Sequence, residues 1–382
     1  MIMSEAYITR IAKFLPNESV SNEEMEEYLG YINGKPSKSK AIVLRNNGIK
    51  NRFYALRKDG TPTHTNAEMA ALAIKDLFKN NPAEIGGMDL LSCATSSPDQ
   101  LMPSHGSMVH GHLPDAASIE VVSPSGVCCA GMHAFKYAYM AVKLGEKQKA
   151  VACASERLST VLRSEQFEDE IQQLTRLEKN PFLAFEKDFL RWMLSDGAGA
   201  FLVESAPNKE GVSLKIDWIE GCSYANEVEA CMYMGADKLE DGTLRSYKDF
   251  TAEQIQERSV LSIKQDVKLL GEKIVKLGFA KLKDILVKKG ITMDDVSYFL
   301  PHLSSYFFEG KIDEFFNENG MPIPKEKWYT NLATKGNVGA ASIYMMLEEV
   351  FNSGALKKGE KILLAVPESS RFSYMFCLLT VC

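Results

Sequence analysis

Several features that define large classes of proteins are missing from this chain of 382 residues. No apolar run is long enough to cross a bilayer as a helix, and the N-terminus lacks a basic region followed by an apolar stretch. We therefore expect neither a membrane span nor a secretion signal, and we predict a cytoplasmic protein.

Metal and nucleotide motifs are also missing. The eight cysteines show no paired CxxC spacing, which argues against a zinc site and a disulfide framework. Of His105, His110 and His112, only the first and last share a helical face, and no carboxylate or thiol completes a ligand set. No GxGxxG run is present, and the net charge of −6 argues against nucleic acid as the main partner. We expect no metal ion and no bound cofactor.

What the chain does have is an alternation of apolar strands and amphipathic helices. Apolar residues recur at helical spacing between 260 and 289, and helices are also predicted over Asn66–Lys79 and Ala130–Leu144. Such alternation predicts an α/β fold with a parallel or mixed sheet covered on both faces. The predicted strands are Met88–Thr95, Ser118–Ser123, Ala150–Ala154, Gly199–Glu204, Val212–Glu220, Val296–Leu300, Lys361–Val366 and Tyr374–Val381.

Three reactive or polar residues stand at ends of these elements. Cys129 lies where a strand gives way to a helix, His302 follows a strand, and Asn337 lies in a Gly-flanked turn that opens a helix. A thiol at a helix N-terminus is expected to have a lowered pKa, because the helix dipole favours thiolate. His and Asn side chains can both donate a hydrogen bond to one thioester oxygen. The set predicts an acyl-thioester enzyme with a covalent Cys intermediate.

Each of the three residues also has an ordinary structural explanation. Cys is often a small buried hydrophobe, a His after a strand is often structural, and Asn tolerates the left-handed backbone of a turn. The combination favours function, because α/β folds place their sites at strand ends and helix starts.

The surrounding segments resemble the ketoacyl-acyl-carrier-protein synthase III family of the thiolase superfamily. SGVCCAGMHAF resembles the family's Cys-Ala-Gly nucleophile turn, SYFLPHLSS its Pro-His, and TKGNVGAAS its Gly-Asn turn. LRNNGIKNRFYA, SSPDQLMPS and SDGAGAFLVE resemble further family segments in the same order. The opening FLPNESVSNEEMEEYLG with INGKPS, and PHLSSYFF, are most similar to the branch that forms dialkylresorcinol or cyclohexanedione rings.

This resemblance implies a thiolase fold, with two pseudo-duplicated halves in five αβαβα layers, and a homodimer. The halves are expected at 1–208 and 209–382, with a helical insertion at about 162–194. Cys129 is implied as the nucleophile, with Cys128 facing away as a packing residue. His302 and Asn337 are implied as donors to the enolate of the second substrate.

Two departures from the family pattern concern the loops around the site. The backbone N–H of Cys129 and that of Ser370 are expected to form the oxyanion hole for the acyl group. The family usually has a glycine run where this chain has Glu368, Ser369, Ser370 and Arg371, and Ser adopts positive φ less readily than Gly. Ala41 replaces the aromatic residue that often stacks on the adenine of coenzyme A.

A segment rich in basic residues lies at the expected entrance to the active site. Residues 35–58 contain eight basic residues and no acidic one. A solvated charged face is one interpretation, and a docking patch for phosphates or an acidic carrier protein is the other. We predict that Arg45, Lys38, Lys40 and Arg52 bind the carrier or its phosphopantetheine.

Glu156 follows an apolar strand near the nucleophile. A carboxylate beside an apolar tunnel is expected to have a raised pKa and to act as a base in ring closure. The alternative is a structural carboxylate paired with Arg157, Arg163 or Arg191.

The predicted function is Claisen condensation of an acyl thioester with a β-ketoacyl or malonyl thioester, with possible ring closure. One alternative is a fatty-acid initiating synthase that uses acyl-coenzyme A and a malonyl carrier protein. Another is a non-catalytic partner subunit that binds an acyl carrier protein, although such a subunit would not need the Cys, His and Asn.

Overall fold

The computed structural model describes residues 4–37, 39–166 and 190–382. In its first half, helix starts follow local capping signals: Thr65 accepts the N–H of Glu68, whose carboxylate accepts the N–H of Thr65 in return. The elements of this half are β1 (Tyr7–Phe14), β2 (Val20–Ser21), α1 (Met25–Leu29), α2 (Lys40–Asn47), β3 (Asn51–Arg52), α3 (Asn66–Leu77), β4 (Leu90–Ala94), α4 (His105–Gly111), β5 (Glu120–Val122), α5 (Cys128–Lys143), β6 (Lys149–Glu156) and β7 (Gly197–Glu204).

The second half begins with a long strand and adds two small two-stranded sheets, β10-β11 and β9-β12. Its longest helix is started by Asp266, which accepts the N–H of Leu269, and is ended by Gly290 in the left-handed region. The elements of this half are β8 (Leu214–Ser223), β9 (Met232–Tyr233), β10 (Ala236–Lys238), β11 (Leu244–Ser246), α6 (Ala252–Glu257), β12 (Lys264–Gln265), α7 (Val267–Lys289), β13 (Tyr298–Pro301), α8 (Phe307–Glu318), α9 (Leu332–Lys335), α10 (Ser342–Phe351), β14 (Lys361–Glu368) and β15 (Ser373–Val381).

Nine strands form one mixed sheet in the order β13-β14-β15-β8-β1-β7-β6-β4-β5. In the first half, β7 is antiparallel to both β1 and β6, and β6 is parallel to β4. The second half repeats this pattern, because β15 is antiparallel to both β8 and β14, and β14 is parallel to β13. The two halves meet where Tyr7 and Ile8 of β1 pair with Lys215 and Leu214 of β8. The repeated pairing is the pseudo-duplication that the family resemblance implied.

The helices α5 and α10 form the middle layer between the halves. Both contact strands of the first and the second half, and one apolar cluster joins all of them. Within it, Tyr344 of α10 stacks on Phe201 of β7 at 3.9 Å between ring centroids, and Phe201 meets Phe135 of α5 edge-on at 5.2 Å. The outer faces are covered by α3 and α4 on one side and by α7 and α8 on the other. This arrangement confirms the five-layered α/β fold.

Most predicted elements of the sheet are confirmed with small shifts at their ends. The structure adds β1, which the sequence analysis did not predict, and it starts the long helix at Val267 rather than at residue 260. Most of the predicted insertion at 162–194 lies outside the described residues. The boundary between residues 208 and 209 falls between β7 and β8 and stays a prediction. In the described parts of the chain, no helix has the length and apolar character needed to span a membrane.

Candidate active site

The segment that carries Cys129 turns sharply before α5 begins. Gly126 has φ +153°, and Val127 has φ −106° and ψ −120°, so the chain enters the helix abruptly at Cys128. Cys129 lies in the first turn and is 1% exposed, and its Sγ donates to the carbonyl oxygen of Val366 at 3.3 Å. The thiol is therefore held against the end of β14.

The turn at Asn337 packs directly on this helix. A Cβ at Gly131 would lie 2.3 Å from the carbonyl oxygen of Ala340, so only glycine allows the close approach. The hydroxyl of Tyr344 donates to the carbonyl oxygen of Gly131 at 2.8 Å and ties α5 to α10. Gly131, two residues after Cys129, thus allows the nucleophile helix to approach the turn that follows Asn337.

Asn337 and His302 are oriented by backbone contacts. The Oδ1 of Asn337 accepts the N–H of Gly339 at 2.9 Å, which leaves its NH₂ group as the end that can donate. The N–H of His302 donates to the carbonyl oxygen of Ala365 at 2.8 Å and extends the pairing of β13 with β14. Both side chains come from segments that border the start of α5 or the end of β14.

A cavity of about 750 Å³, including its opening to solvent, brings these segments together. Cys128, His302 and Asn337 all lie in its wall, together with Pro367 of β14 and Ser369 of the loop that follows it. Most other lining residues are apolar, as an acyl chain requires: Val127, Leu158, Leu190, Met193, Leu194, Met232, Ile263, Leu270, Ile274, Val275, Phe279, Leu303, Phe308 and Ile312.

The two adjacent cysteines differ from expectation in their exposure to this cavity. Cys128, which was expected to face away as a packing residue, forms part of the cavity wall and is 8% exposed. That expectation is wrong because the helix starts at Cys128, so its side chain lies at the open end of the first turn. Cys129 lies beneath the wall, in contact with β14.

The electrostatics of the thiol also differ from expectation. Burial, and secondarily the charge of Glu368, raise the pKa of Cys129 well above its ordinary value. The predicted lowering by the helix dipole is therefore wrong for the resting structure, in which the thiol stays protonated at neutral pH. Burial lowers the pKa of His302 to about 4, so this imidazole is neutral at pH 7 and carries one N–H.

Glu368 was noted only as a departure from the glycine run, yet it contacts the nucleophile segment directly. Its Oε2 accepts the N–H of Cys129 at 2.9 Å and that of Val127 at 3.1 Å. Ser370, the predicted oxyanion residue, donates its hydroxyl to Oε1 of Glu368 at 2.6 Å and accepts the N–H of Cys231 at its carbonyl. The feature of the sequence that could have indicated this contact was a carboxylate in a loop where the family has glycine.

Glu156 lies completely buried behind the cavity wall. Its carboxylate accepts hydrogen bonds from Ser96 and Ser97 hydroxyls at 2.8 and 2.6 Å and from the N–H of Ala340 at 3.3 Å. Burial raises its pKa, which these hydrogen bonds partly offset. Among the described residues, the hydrogen bonds to Glu156 come from neutral hydroxyl and N–H groups, and Arg157 pairs with Asp99 instead, which disfavours the predicted structural ion pair.

The predicted carrier-binding residues are only partly available. Arg45 is exposed at the end of α2, as a docking residue must be. Arg52 is completely buried and donates to Asn22 and to the carbonyl of Trp192, so its predicted surface role is wrong. Lys40 is paired with Glu26 at 2.9 Å, which offsets its charge, and Lys38 lies outside the described residues.

The histidines of α4 belong to the scaffold. His105 is buried and its Nε2 lies 3.0 Å from the hydroxyl of Ser155, and burial lowers its pKa to about 4. Within residues 4–37, 39–166 and 190–382, no group of three His, Cys, Asp or Glu side chains is placed to hold a metal ion.

Comparison with known proteins identifies the family. Residues 286–366, which include His302 and Asn337, match the family model for the C-terminal part of 3-oxoacyl-[acyl-carrier-protein] synthase III. Over 365 residues the chain is 25% identical to a β-ketoacyl-[acyl-carrier-protein] synthase III of Clostridium perfringens, and the match covers 95% of each chain. The chain is a ketoacyl-acyl-carrier-protein synthase III-like protein. It is thus a condensing acyltransferase of the thiolase superfamily.

Solved structures of synthase III-like condensing enzymes share the fold. The tetronic acid condensing enzyme AbyA1 superposes with a TM-score of 0.76 at 18% identity over 98% of this chain and 99% of that one. OleA of Xanthomonas campestris, solved with lauric acid and lauroyl-CoA, superposes with a TM-score of 0.73 at 17% identity over the whole of both chains.

Proposed function

We propose that this synthase III-like protein joins an acyl group held on Cys129 to a β-ketoacyl or malonyl thioester by Claisen condensation. The observation that carries the proposal is the shared cavity wall, in which His302 and Asn337 lie beside the start of α5 and above an apolar chamber. The apolar lining suits a fatty acyl chain, and the polar groups are confined to one end.

The first half-reaction loads the enzyme. Cys129 loses its thiol proton, and the sulfur attacks the carbonyl carbon of the donor thioester. The bond from that carbon to the carrier sulfur then breaks, and the carrier leaves as a thiol that takes up one proton. The product is an acyl thioester on Cys129.

The second half-reaction needs a carbon nucleophile. A malonyl thioester gives an enolate by losing carbon dioxide, whereas a β-ketoacyl thioester gives one by losing the proton between its two carbonyls. The neutral N–H of His302 and the NH₂ of Asn337 donate to the thioester oxygen on which the enolate charge develops. The enolate carbon attacks the acyl carbonyl, and Cys129 leaves as the thiol.

Glu156 is our candidate base for a subsequent ring closure. Burial raises its pKa, which is the direction that makes a carboxylate a stronger base, and its Oε1 lies 3.0 Å from the position of a Cβ on Gly339, a residue of the cavity wall. The ring-forming reaction would supply a cyclohexanedione or dialkylresorcinol precursor. We further propose a homodimer that receives its substrates from an acyl carrier protein or coenzyme A.

A fatty-acid initiating synthase is the second candidate, and the synthase III name carried by the Clostridium relative favours it. Product analysis separates the two candidates. Purified protein receives a medium-chain acyl donor with either a β-ketoacyl or a malonyl carrier thioester, and the products are identified by mass spectrometry. A β-ketoacyl-dependent product supports the first candidate, and only a linear product from short acyl-coenzyme A and malonyl carrier supports the second.

The nucleophile is tested by paired variants of the adjacent cysteines. Cys129→Ala should abolish acyl loading, whereas Cys128→Ala should retain it, measured as an acyl adduct by peptide fragmentation. An adduct on Cys128 in the wild-type protein would contradict the assignment. Absence of any adduct with every donor would favour a non-catalytic carrier-binding subunit.

A further inference from the structure

Glu368 lies at the end of β14, between two residues that line the cavity. Pro367 and Ser369 face the cavity, and because side chains alternate along a strand, Glu368 points the other way, towards the first turn of α5. The side chain is buried, with 8% exposure. Its place in the fold therefore connects the cavity loop to the nucleophile helix.

The carboxylate of Glu368 is held by three donors. Oε2 accepts the N–H groups of Val127 and Cys129, and Oε1 accepts the hydroxyl of Ser370. Val127 supplies no side-chain cap to α5, so the carboxylate satisfies N–H groups that the start of a helix leaves without partners. A negative charge at this end is also favoured by the helix dipole.

The N–H of Cys129 is the same donor that an acyl carbonyl on Cys129 would need. A donor in an oxyanion hole must reach the oxyanion at about 2.7–3.1 Å, and in the resting structure Oε2 of Glu368 occupies that donor at 2.9 Å. The two acceptors cannot both take one well-aligned N–H. Substrate binding therefore competes with Glu368.

We propose that Glu368 is a positioning residue that occupies the oxyanion donor of Cys129 at rest and must release it before Cys129 is acylated. This inference rests on the proposed role of Cys129 as the nucleophile. Since Pro367 and Ser369 line the cavity, an entering acyl thioester contacts the segment that carries Glu368, which links cavity filling to release of the N–H. Burial, and secondarily the charge of Glu368, also favour the protonated thiol at rest.

A purely structural cap makes a different prediction from an occupant of the oxyanion donor. Loss of a cap lowers the thermal stability of the protein and leaves the reactivity of a correctly folded thiol unchanged. Loss of the occupant changes the pH dependence of the thiol, because a like charge beside an acidic group disfavours its ionised form. The pH profile of the thiol therefore separates the two roles.

The test uses the full-length protein and its Glu368→Gln variant, which keeps the size and an acceptor oxygen but removes the charge. Alkylation of Cys129 by iodoacetamide is followed across a pH series, with fragmentation that resolves Cys128 from Cys129. We expect the pH midpoint to fall in Glu368→Gln, because the like charge beside the thiol is removed. At pH 7 we expect alkylation, and acylation by an acyl pantetheine thioester, to be several-fold faster.

Two further variants complete the design. Glu26→Gln removes another buried carboxylate, which is remote from α5 and paired with Lys40, and should leave the thiol profile unchanged. Ser370→Ala removes the hydroxyl that holds Oε1 and should raise the acylation rate with a smaller change in pH midpoint. If Glu368→Gln fails to fold, an unchanged acylation rate in Ser370→Ala overturns the inference.

The outcomes also distinguish this inference from the proposed function. An unchanged pH midpoint in Glu368→Gln, or slower acylation together with a lower Tm, would show that the residue is only a cap. If no thioester acylates Cys129 in the wild-type protein, the proposed function fails, whereas the alkylation profile still reports whether Glu368 controls this thiol.

Discussion

Replacement of Gly131 by Ala should separate the nucleophile helix from the Asn337 turn. The added Cβ would lie 2.3 Å from the carbonyl oxygen of Ala340 and 3.1 Å from both Cβ of Ala154 and a ring carbon of Tyr344. The space around this Cβ is thus closed on three sides. Because the nearest of these atoms belongs to the backbone of Ala340, α5 itself must move to make room. The Tyr344 hydrogen bond to the Gly131 carbonyl would be strained by the same movement.

The expected cost in stability follows from overpacking of a buried site. Insertion of a methyl group into a filled core typically costs about 1–3 kcal/mol. The entropy of unfolding is about 2.1 cal/mol/K per residue, or roughly 0.8 kcal/mol/K for a chain of this length, so Tm should fall by about 1–4 °C. A displacement of about 1 Å between Cys129 and Asn337 should also reduce condensation by up to about 100-fold.

Gly310→Ala provides the matched control. Gly310 lies in α8, is exposed, and has no atom within 4 Å of its added Cβ. Since Ala is favoured over Gly in a helix by up to about 1 kcal/mol, this variant should be slightly more stable and fully active. Calorimetry and condensation assays on both variants decide the matter. A Gly131→Ala protein with wild-type Tm and activity would refute the packing argument.

The remaining predictions concern the polar site and its entrance. His302→Ala and Asn337→Ala should each still load an acyl group on Cys129 but condense at least about 100-fold more slowly, and a near wild-type condensation rate in either variant would contradict the enolate role. Burial lowers the pKa of His302 in the folded protein to about 4, so its contribution to stability is complete above the unfolded pKa of about 6.5 and is lost as pH falls towards 4. In His302→Gln, the free energy of unfolding should therefore depend less on pH between pH 7 and 4.5. An unchanged pH dependence would show that the imidazole is not buried in its neutral form. Arg45→Glu should slow the reaction of a carrier-bound donor more than that of a pantetheine thioester. This difference should become smaller as the salt concentration rises, because charges are screened within about 10 Å at 0.1 M. Equal losses of rate for both donors would show that the carrier docks at another surface.

Continuous burial made two central strands of the first half easy to predict. β4 and β6 are buried along almost their whole length and flanked by turns, so composition alone located them. β1 was missed because Ile8 and Thr9, then Ile11 and Ala12, are buried in pairs, and its pairing with β7 is shifted between Ile8 and Arg10. Such a bulge breaks the period of two on which strand prediction relies.

The positions of the three site residues were predictable because each has a local frame at the end of a strand or the start of a helix. The contact of Glu368 with Cys129 joins residues 239 positions apart, and no local pattern encodes it. The burial of Arg52 was equally hidden, because a basic run looks alike whether one of its members faces water or the interior. Burial also raises the pKa of Cys129, against the lowering expected from the helix dipole. How deeply a residue is buried depends on the complete fold and cannot be deduced from its neighbours in the sequence.

The shared middle layer determines how this protein can be divided and how it must fold. Since α5 and α10 each pack on strands of both halves, a fragment that ends near residue 208 would leave α5 without the partners that bury its far face. The repeated strand pairing therefore does not make each half an autonomous folding unit. β1 at the N-terminus pairs with β8 more than 200 positions later, and the contacts of α5 with β14 and β15 form only after both halves have been synthesised. Until then the apolar face of α5 is exposed, and the nascent chain is open to aggregation at the segment that carries the nucleophile.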